Sequence, residues 1–211
     1  MVDHPIFTES IRRIRALLGE TGFDPLQQQV LERLVHSSGD PGLLPLLRFS
    51  DGACERGLEA LKDGALILTD TAMAAAAVTP MATRTLGTPV RCLLDWAPSQ
   101  SPPGSTRSAA AMQRAWPELT AAASTAGQSM PVVLVGSAPT ALEQLLDQVE
   151  DGAAAPSLVI GMPVGFVGVP ESKRRLGVTE LAQIRLEGTR GGAGLVAAAA
   201  NALLRAAQAA S

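Results

Sequence analysis

A chain of 211 residues with 46% hydrophobic side chains can bury one substantial core, and this length favours a single domain spanning residues 1–211. Its formal net charge of -3 supplies no positive field for a nucleic-acid backbone or an anionic membrane surface, so neither is expected as a partner. Cys54 and Cys92 stand far apart with no Cys or His at metal-ligand spacing, and they read as core thiols in a reducing compartment.

The opening Met1-Val2-Asp3-His4-Pro5 lacks the basic start and apolar run of an export signal, which predicts a cytoplasmic protein. His4 falls in what reads as a mobile terminus without a chemical role. Two helices are expected next. The second is marked by Asp24 as N-cap, Pro25 at the first helical position and a stripe of Leu26, Val30, Leu31 and Leu34, ending at His36-Ser37-Ser38-Gly39. Apolar runs at 65–69, 90–94, 132–135, 157–160 and 183–186 read as strands, several of them buried on both faces. Helical patterns lie between and after them at 51–62, 105–116, 139–150 and 192–210. The fold class expected is therefore α/β: a single domain with a mainly parallel sheet flanked by helices, preceded by an N-terminal helical segment. The stretch 96–104 reads as a loop or as a short linker between halves of the sheet. The last segment, 195–210, is mostly alanine with Asn201, Arg205 and Gln208, too weakly apolar to span a bilayer.

In open α/β sheets, ligands gather where strands run into helices and free backbone N–H groups point outward. Gly104-Ser105-Thr106-Arg107-Ser108 combines a cap, backbone donors and a guanidinium, a set suited to a carboxylate and equally to an ordinary Ser cap with a solvated Arg. Gly136-Ser137-Ala138-Pro139-Thr140 opens a helix directly after a strand. Gly161-Met162-Pro163-Val164-Gly165-Phe166-Val167-Gly168 is apolar, and reads either as the lining of a ligand cavity or partner surface, or as a buried turn. Gly192-Ala193-Gly194-Leu195-Val196-Ala197 has the form of a dinucleotide fingerprint, but no acidic residue follows Glu187 to hold a ribose, and close helix packing or approach to another ligand explains these glycines better.

His36 ends a helix, where carbonyl dipoles favour the imidazolium, a placement suited to a proton donor but met more often in an ordinary helix-ending residue. Asp70 ends a strand, where a catalytic carboxylate could stand, but with a helix following it reads more simply as an N-cap. No Ser/His/Asp order, Walker loop, HExxH or CxxC is present, which leaves chemistry without a protein metal or bound cofactor.

Taken in order, several of these stretches resemble the precorrin-8X methylmutases, also called cobalt-precorrin-8 methylmutases, over nearly the whole chain. The matching stretches are Glu9-Ser10-Ile11-Arg12-Arg13-Ile14, Val35-His36, Ile67-Leu68-Thr69-Asp70 with Met73, Ser105-Thr106-Arg107-Ser108-Ala109-Ala110-Ala111, Gly136 to Leu142, and Gly161 to Gly168 running on to Glu171-Ser172-Lys173. The resemblance implies a homodimer that shifts a methyl group from C11 to C12 of precorrin-8X to give hydrogenobyrinate, or of cobalt-precorrin-8 to give cobyrinate. It implies no redox cofactor and no protein metal. It further implies that His36 gives and recovers a proton, that Ser10 contacts the substrate, and that Thr106, Arg107 and Lys173 hold its carboxylate arms. The chain departs from the family pattern at Ala72, where members carry Glu, and at Thr189, where they carry Arg and this chain has Arg190 one position later. Two other functions fit the loops: a catalytically silent tetrapyrrole carrier, and a nicotinamide-dependent oxidoreductase suggested by the late glycine loop.

Overall fold

The computed structural model describes residues 4–209. Met1 to Asp3, at the start of the segment searched for an export signal, and Ala210, expected to end the last helix, lie outside them. The chain opens with α1 (Pro5–Leu18) and α2 (Pro25–Ser38). They run antiparallel, since contacts pair Ser10 with His36 and Arg15 with Glu32. His4 is no loose end: its Nδ1 accepts from Ile6 N–H at 3.2 Å and caps α1. Asp24 accepts from the N–H groups of Leu26 and Gln27 while Gln27 reaches back to the Asp24 N–H, a full capping box. Gly39, with φ of 68°, takes the left-handed conformation that stops α2.

A 3-10 turn (Pro41–Leu46) leads into β1 (Leu47–Phe49), then follow α3 (Ala53–Lys62), β2 (Ile67–Thr69), α4 (Ala72–Thr85) and β3 (Val90–Cys92). The second half comprises α5 (Arg107–Ala126), β4 (Val132–Val135), α6 (Pro139–Glu150), β5 (Leu158–Gly161), α7 (Val169–Gly177), β6 (Gln183–Leu186) and α8 (Ala193–Ala209). The six strands form one sheet in the order β1-β6-β5-β4-β2-β3, parallel throughout except for β1, which pairs antiparallel with β6. The stretch 96–104 belongs to the crossover from edge strand β3 past β2 to β4; it joins no separate half-sheets.

Both faces of the sheet are buried, as parallel strands require. Ile67, Leu134, Ile160 and Ile184 face a core shared with α2, α3, α4 and α8, whereas Leu68, Val133, Val135 and Val159 face a second core under α5, α6 and α7. Three elements escape sequence periodicity for physical reasons. β1 has only three residues. In α4 alanine dominates and Pro80 sits inside the helix, so no apolar stripe stands out. α7 begins with Val169-Pro170 and carries Glu171, Lys173, Arg174 and Arg175 in nine residues. α5 also continues well beyond residue 116, through Pro117 to Ala126. Among the described residues no helix is long and apolar enough to cross a membrane.

Candidate active site

The carboxyl ends of β2, β4, β5 and β6 form a rim whose loops bond to one another. Val164 N–H donates to Gly136 O at 3.2 Å, Gly165 N–H to Thr189 O at 3.1 Å and Gly192 N–H to Met162 O at 2.8 Å. These contacts satisfy much of the backbone of the apolar loop after β5 from neighbouring loops, while Val164, Phe166 and Val167 point outward, the last two 85% and 90% exposed. Met73, 70% exposed, adds another apolar side chain just after the β2 end.

The glycines of the rim are close-approach residues. A Cβ on Gly191 would overlap the Met162 carbonyl, and one on Gly136 would lie 2.8 Å from the Ala193 backbone. The glycines of the late loop itself are not close-packed: a Cβ on Gly192 or Gly194 would meet nothing within 4 Å, and Gly192 takes a φ of 134° that favours glycine.

Lys173 sits beneath this rim, only 1% exposed, with Nζ donating to Gly188 O at 2.9 Å and Arg190 O at 2.6 Å. Burial pulls its ammonium down to about 8 from the ordinary lysine range. The expected contact between Lys173 and a substrate arm is corrected here: the ammonium is spent on two loop carbonyls and holds the rim from inside. Arg190 is engaged as well, bonding Asp40 Oδ2 and Gly42 O at 3.1 Å, which ties the loop after β6 to the turn after α2. Thr189 supplies a carbonyl to Gly165, and Ala72 is an exposed first residue of α4.

Asp70 is not the N-cap of α4. Thr71 caps that helix through Ala74 N–H at 3.3 Å, while Asp70 turns inward and its Oδ2 accepts from the N–H groups of Gly136, Ser137 and Ala138. Burial raises its carboxyl above the usual range, opposed by those three donors.

At the other end of the rim, Thr106 caps α5 by accepting from Ala109 N–H at 3.1 Å, and its Oγ1 lies 2.7 Å from Thr140 Oγ1 on α6. Arg107 is exposed, fixed through Nε to Pro98 O at 2.8 Å, and among the described residues it has no ion-pair partner. Its remaining N–H groups suit a carboxylate.

Ser10 and His36 meet where α1 and α2 cross, with Ser10 Oγ 2.7 Å from His36 Nδ1. Phe7 packs edge-on to the imidazole with ring centroids 5.1 Å apart, and the guanidiniums of Arg33 and Arg205 lie over Phe7 at 4.9 and 5.2 Å. The surroundings correct the expected effect of the helix dipole. Partial burial, and then the charge of Arg33, lower the His36 pKa from its ordinary value. The Ser10 hydroxyl can donate to Nδ1 of a neutral ring whose hydrogen is on Nε2, or accept from a ring that carries a hydrogen on Nδ1.

A groove of about 520 Å³ runs along α1, α2 and α8 beside this pair, with Phe7, Ile11 and Ala202 as apolar lining and Arg12, Arg15, Arg33, Arg205 and Glu32 around it; Arg15 pairs with Glu32 and Arg12 with Glu9, each at 2.7 Å. Gln29, Arg33 and His36 fall on one helical stripe of α2, so the histidine continues the groove's wall. Arg33, Phe7 and Arg205 were not picked out from sequence. The spacing of Arg33 to His36 was the available signal, whereas Arg205 arrives from the last helix. Among the described residues no hydrogen bond or ring contact joins the Ser10–His36 pair to the Thr106–Thr140 pair.

Fold and site together define an α/β protein with a hydrogen-bonded histidine beside a groove that carries arginines, and comparison with known proteins carries this further. The family model for precorrin-8X methylmutase matches residues 5–206. A cobalt-precorrin-8 methylmutase of Synechocystis is 33% identical over 217 residues, covering 96% of this chain and 95% of the relative. A precorrin-8X methylmutase of Pseudomonas aeruginosa is 37% identical over 207 residues, covering 94% and 93%. The solved structure of a precorrin-8X methylmutase from Thermus thermophilus superposes with a TM-score of 0.81 at 38% identity, covering 97% of this chain and 96% of that one. The chain belongs to the precorrin-8X methylmutase family, whose members are isomerases of corrin synthesis.

Proposed function

We propose that this protein moves a methyl group from C11 to C12 of precorrin-8X or of cobalt-precorrin-8, with His36 as the acid and without a redox partner. The observation that carries this reading is the 2.7 Å contact of Ser10 Oγ with His36 Nδ1 beside an arginine-lined groove. Ser10 fixes the ring so that Nε2 is the nitrogen offered to the substrate. The substrate brings many carboxylates, which favour the imidazolium and offset the effects of burial and Arg33. Nε2 then donates its proton to the macrocycle beside the migrating methyl group, the electron-poor ring accepts the shift, and the proton returns to the imidazole as product forms. Atoms and electrons balance within the substrate, as an isomerisation requires. Positioned proton transfer of this kind is worth about 10²–10⁴-fold.

The carboxylate arms are held by Arg107 and Thr106. The chain acts as a homodimer in the cytoplasm, a reading supported by the exposed Val164, Phe166 and Val167 and by its free thiols. The test is to mix purified protein with metal-free and cobalt-loaded precursor and follow the visible spectrum. Appearance of the corrin product supports the proposal; tight binding with no spectral conversion of either precursor leaves a carrier.

A further inference from the structure

The loop that leads from β4 into α6 presents the kind of backbone cradle that α/β proteins offer to anionic ligands, yet this one is filled by the protein itself. Asp70 Oδ2 accepts from Gly136 N–H at 3.0 Å, Ser137 N–H at 2.6 Å and Ala138 N–H at 2.8 Å. The residue is 2% exposed, and its second oxygen, Oδ1, is buried without a hydrogen-bond partner. A buried carboxylate in that condition is costly, so a lone packing role explains it poorly. α6 has no side-chain N-cap of its own, and Asp70 supplies from β2 what a capping residue would have supplied locally. Two residues beyond the clamp, Thr140 meets Thr106, whose next neighbour is Arg107.

We propose that Asp70 is a positioning residue: by occupying the anion cradle at the start of α6 it sets Thr140, hence Thr106 and the Arg107 guanidinium, in place for a substrate carboxylate. The inference rests on the reading of Thr106 and Arg107 as substrate contacts. It also assigns the cradle after β4 to an internal carboxylate, so no substrate arm binds there.

Asp70→Ala opens the cradle and leaves three backbone donors that formate can fill. KM for the precursor should rise about tenfold, the loss typical of a charge-assisted contact set out of place, with a smaller change in kcat. Amide exchange should accelerate at residues 136–138 and at the start of α5, and added formate should return both KM and exchange toward wild type. Chemical rescue is a response that a mere packing defect does not show. Should Asp70→Ala fail to fold, Asp70→Asn retains the shape without the charge, and should raise KM several-fold and be non-additive with Arg107→Ala. Unchanged KM in Asp70→Asn, or faster exchange in Asp70→Ala that formate leaves untouched, overturns the proposal. Arg107→Ala run alone separates the two ideas. An unchanged KM there removes the substrate-contact reading, while exchange at the start of α5 and its rescue by formate still judge Asp70.

Discussion

Ser10 and His36, separated by 26 positions in the chain, meet through a 2.7 Å contact between Oγ and Nδ1 that fixes the imidazole on α2 from the neighbouring helix α1. His36→Ala should therefore keep affinity for the precursor and lose turnover by about 10²–10⁴-fold, because the carboxylate contacts lie elsewhere. Ser10→Ala should cost less, roughly tenfold in kcat, as one oriented hydrogen bond is lost. Single-turnover spectra with separate binding measurements check both; near-normal turnover of His36→Ala would sink the acid assignment.

The pH dependence follows from the surroundings of His36. Burial and Arg33 lower its pKa below the ordinary 6.5, so the free enzyme holds a neutral ring at neutral pH. On the proposed mechanism the imidazolium is the donor, so kcat/KM should fall as pH rises through a value below 6.5. The limb in kcat should lie higher, because bound carboxylates raise the pKa in the complex. Arg33→Gln removes a repelling cation and should move the kcat/KM limb upward. An unmoved limb would mean that Arg33 does not act on His36 in the free enzyme.

Lys173 gives a stability prediction with a definite sign. Lys173→Met leaves the carbonyls of Gly188 and Arg190 without their buried donor, for a loss of about 2–3 kcal/mol in chemical denaturation. In the wild type the folded-state value is about 8 against an ordinary 10.5. Between those two values the unfolded chain binds more protons than the folded one, so this residue's contribution to stability rises with pH across that window. The neutral amine still has two hydrogens for its two carbonyls. A difference between wild type and Lys173→Met that does not grow from pH 8 toward 10.5 would show the ammonium to be less buried in solution.

Phe166, 85% exposed on the rim, stands with Val164 and Val167 as an apolar surface unusual for a single chain. Phe166→Asp should convert the proposed homodimer to monomer in sedimentation experiments while leaving the thermal unfolding of the chain little changed, since the side chain buries almost nothing within it. A wild-type protein that sediments as monomer at micromolar concentration would remove the dimer, and a variant that remains dimeric would place the interface elsewhere.

The sequence by itself determined most of the elements and the chemistry that is offered. β4, α6 and β6 were legible to the residue, because short runs buried on both faces and a proline at the first helical position leave little alternative. Asp24, Pro25 and Gly39 likewise delimit α2 through local capping alone. Ser10, His36, Thr106 and Arg107 were legible as residues through ordered motifs, and their chemistry through residue type. Only the tertiary structure decided which polar groups remain for a ligand. Lys173 and Asp70 looked available or merely local in sequence, yet each is spent on backbone groups of distant loops, Gly188 and Arg190 for one, Gly136 to Ala138 for the other. The direction of the His36 shift likewise awaited the packing of Phe7 and the placement of Arg33, because burial outweighs a helix terminus when the ring is partly covered. Helix and strand tendencies act over a few neighbours, whereas the desolvation and pairing of a charge depend on whatever the fold brings beside it.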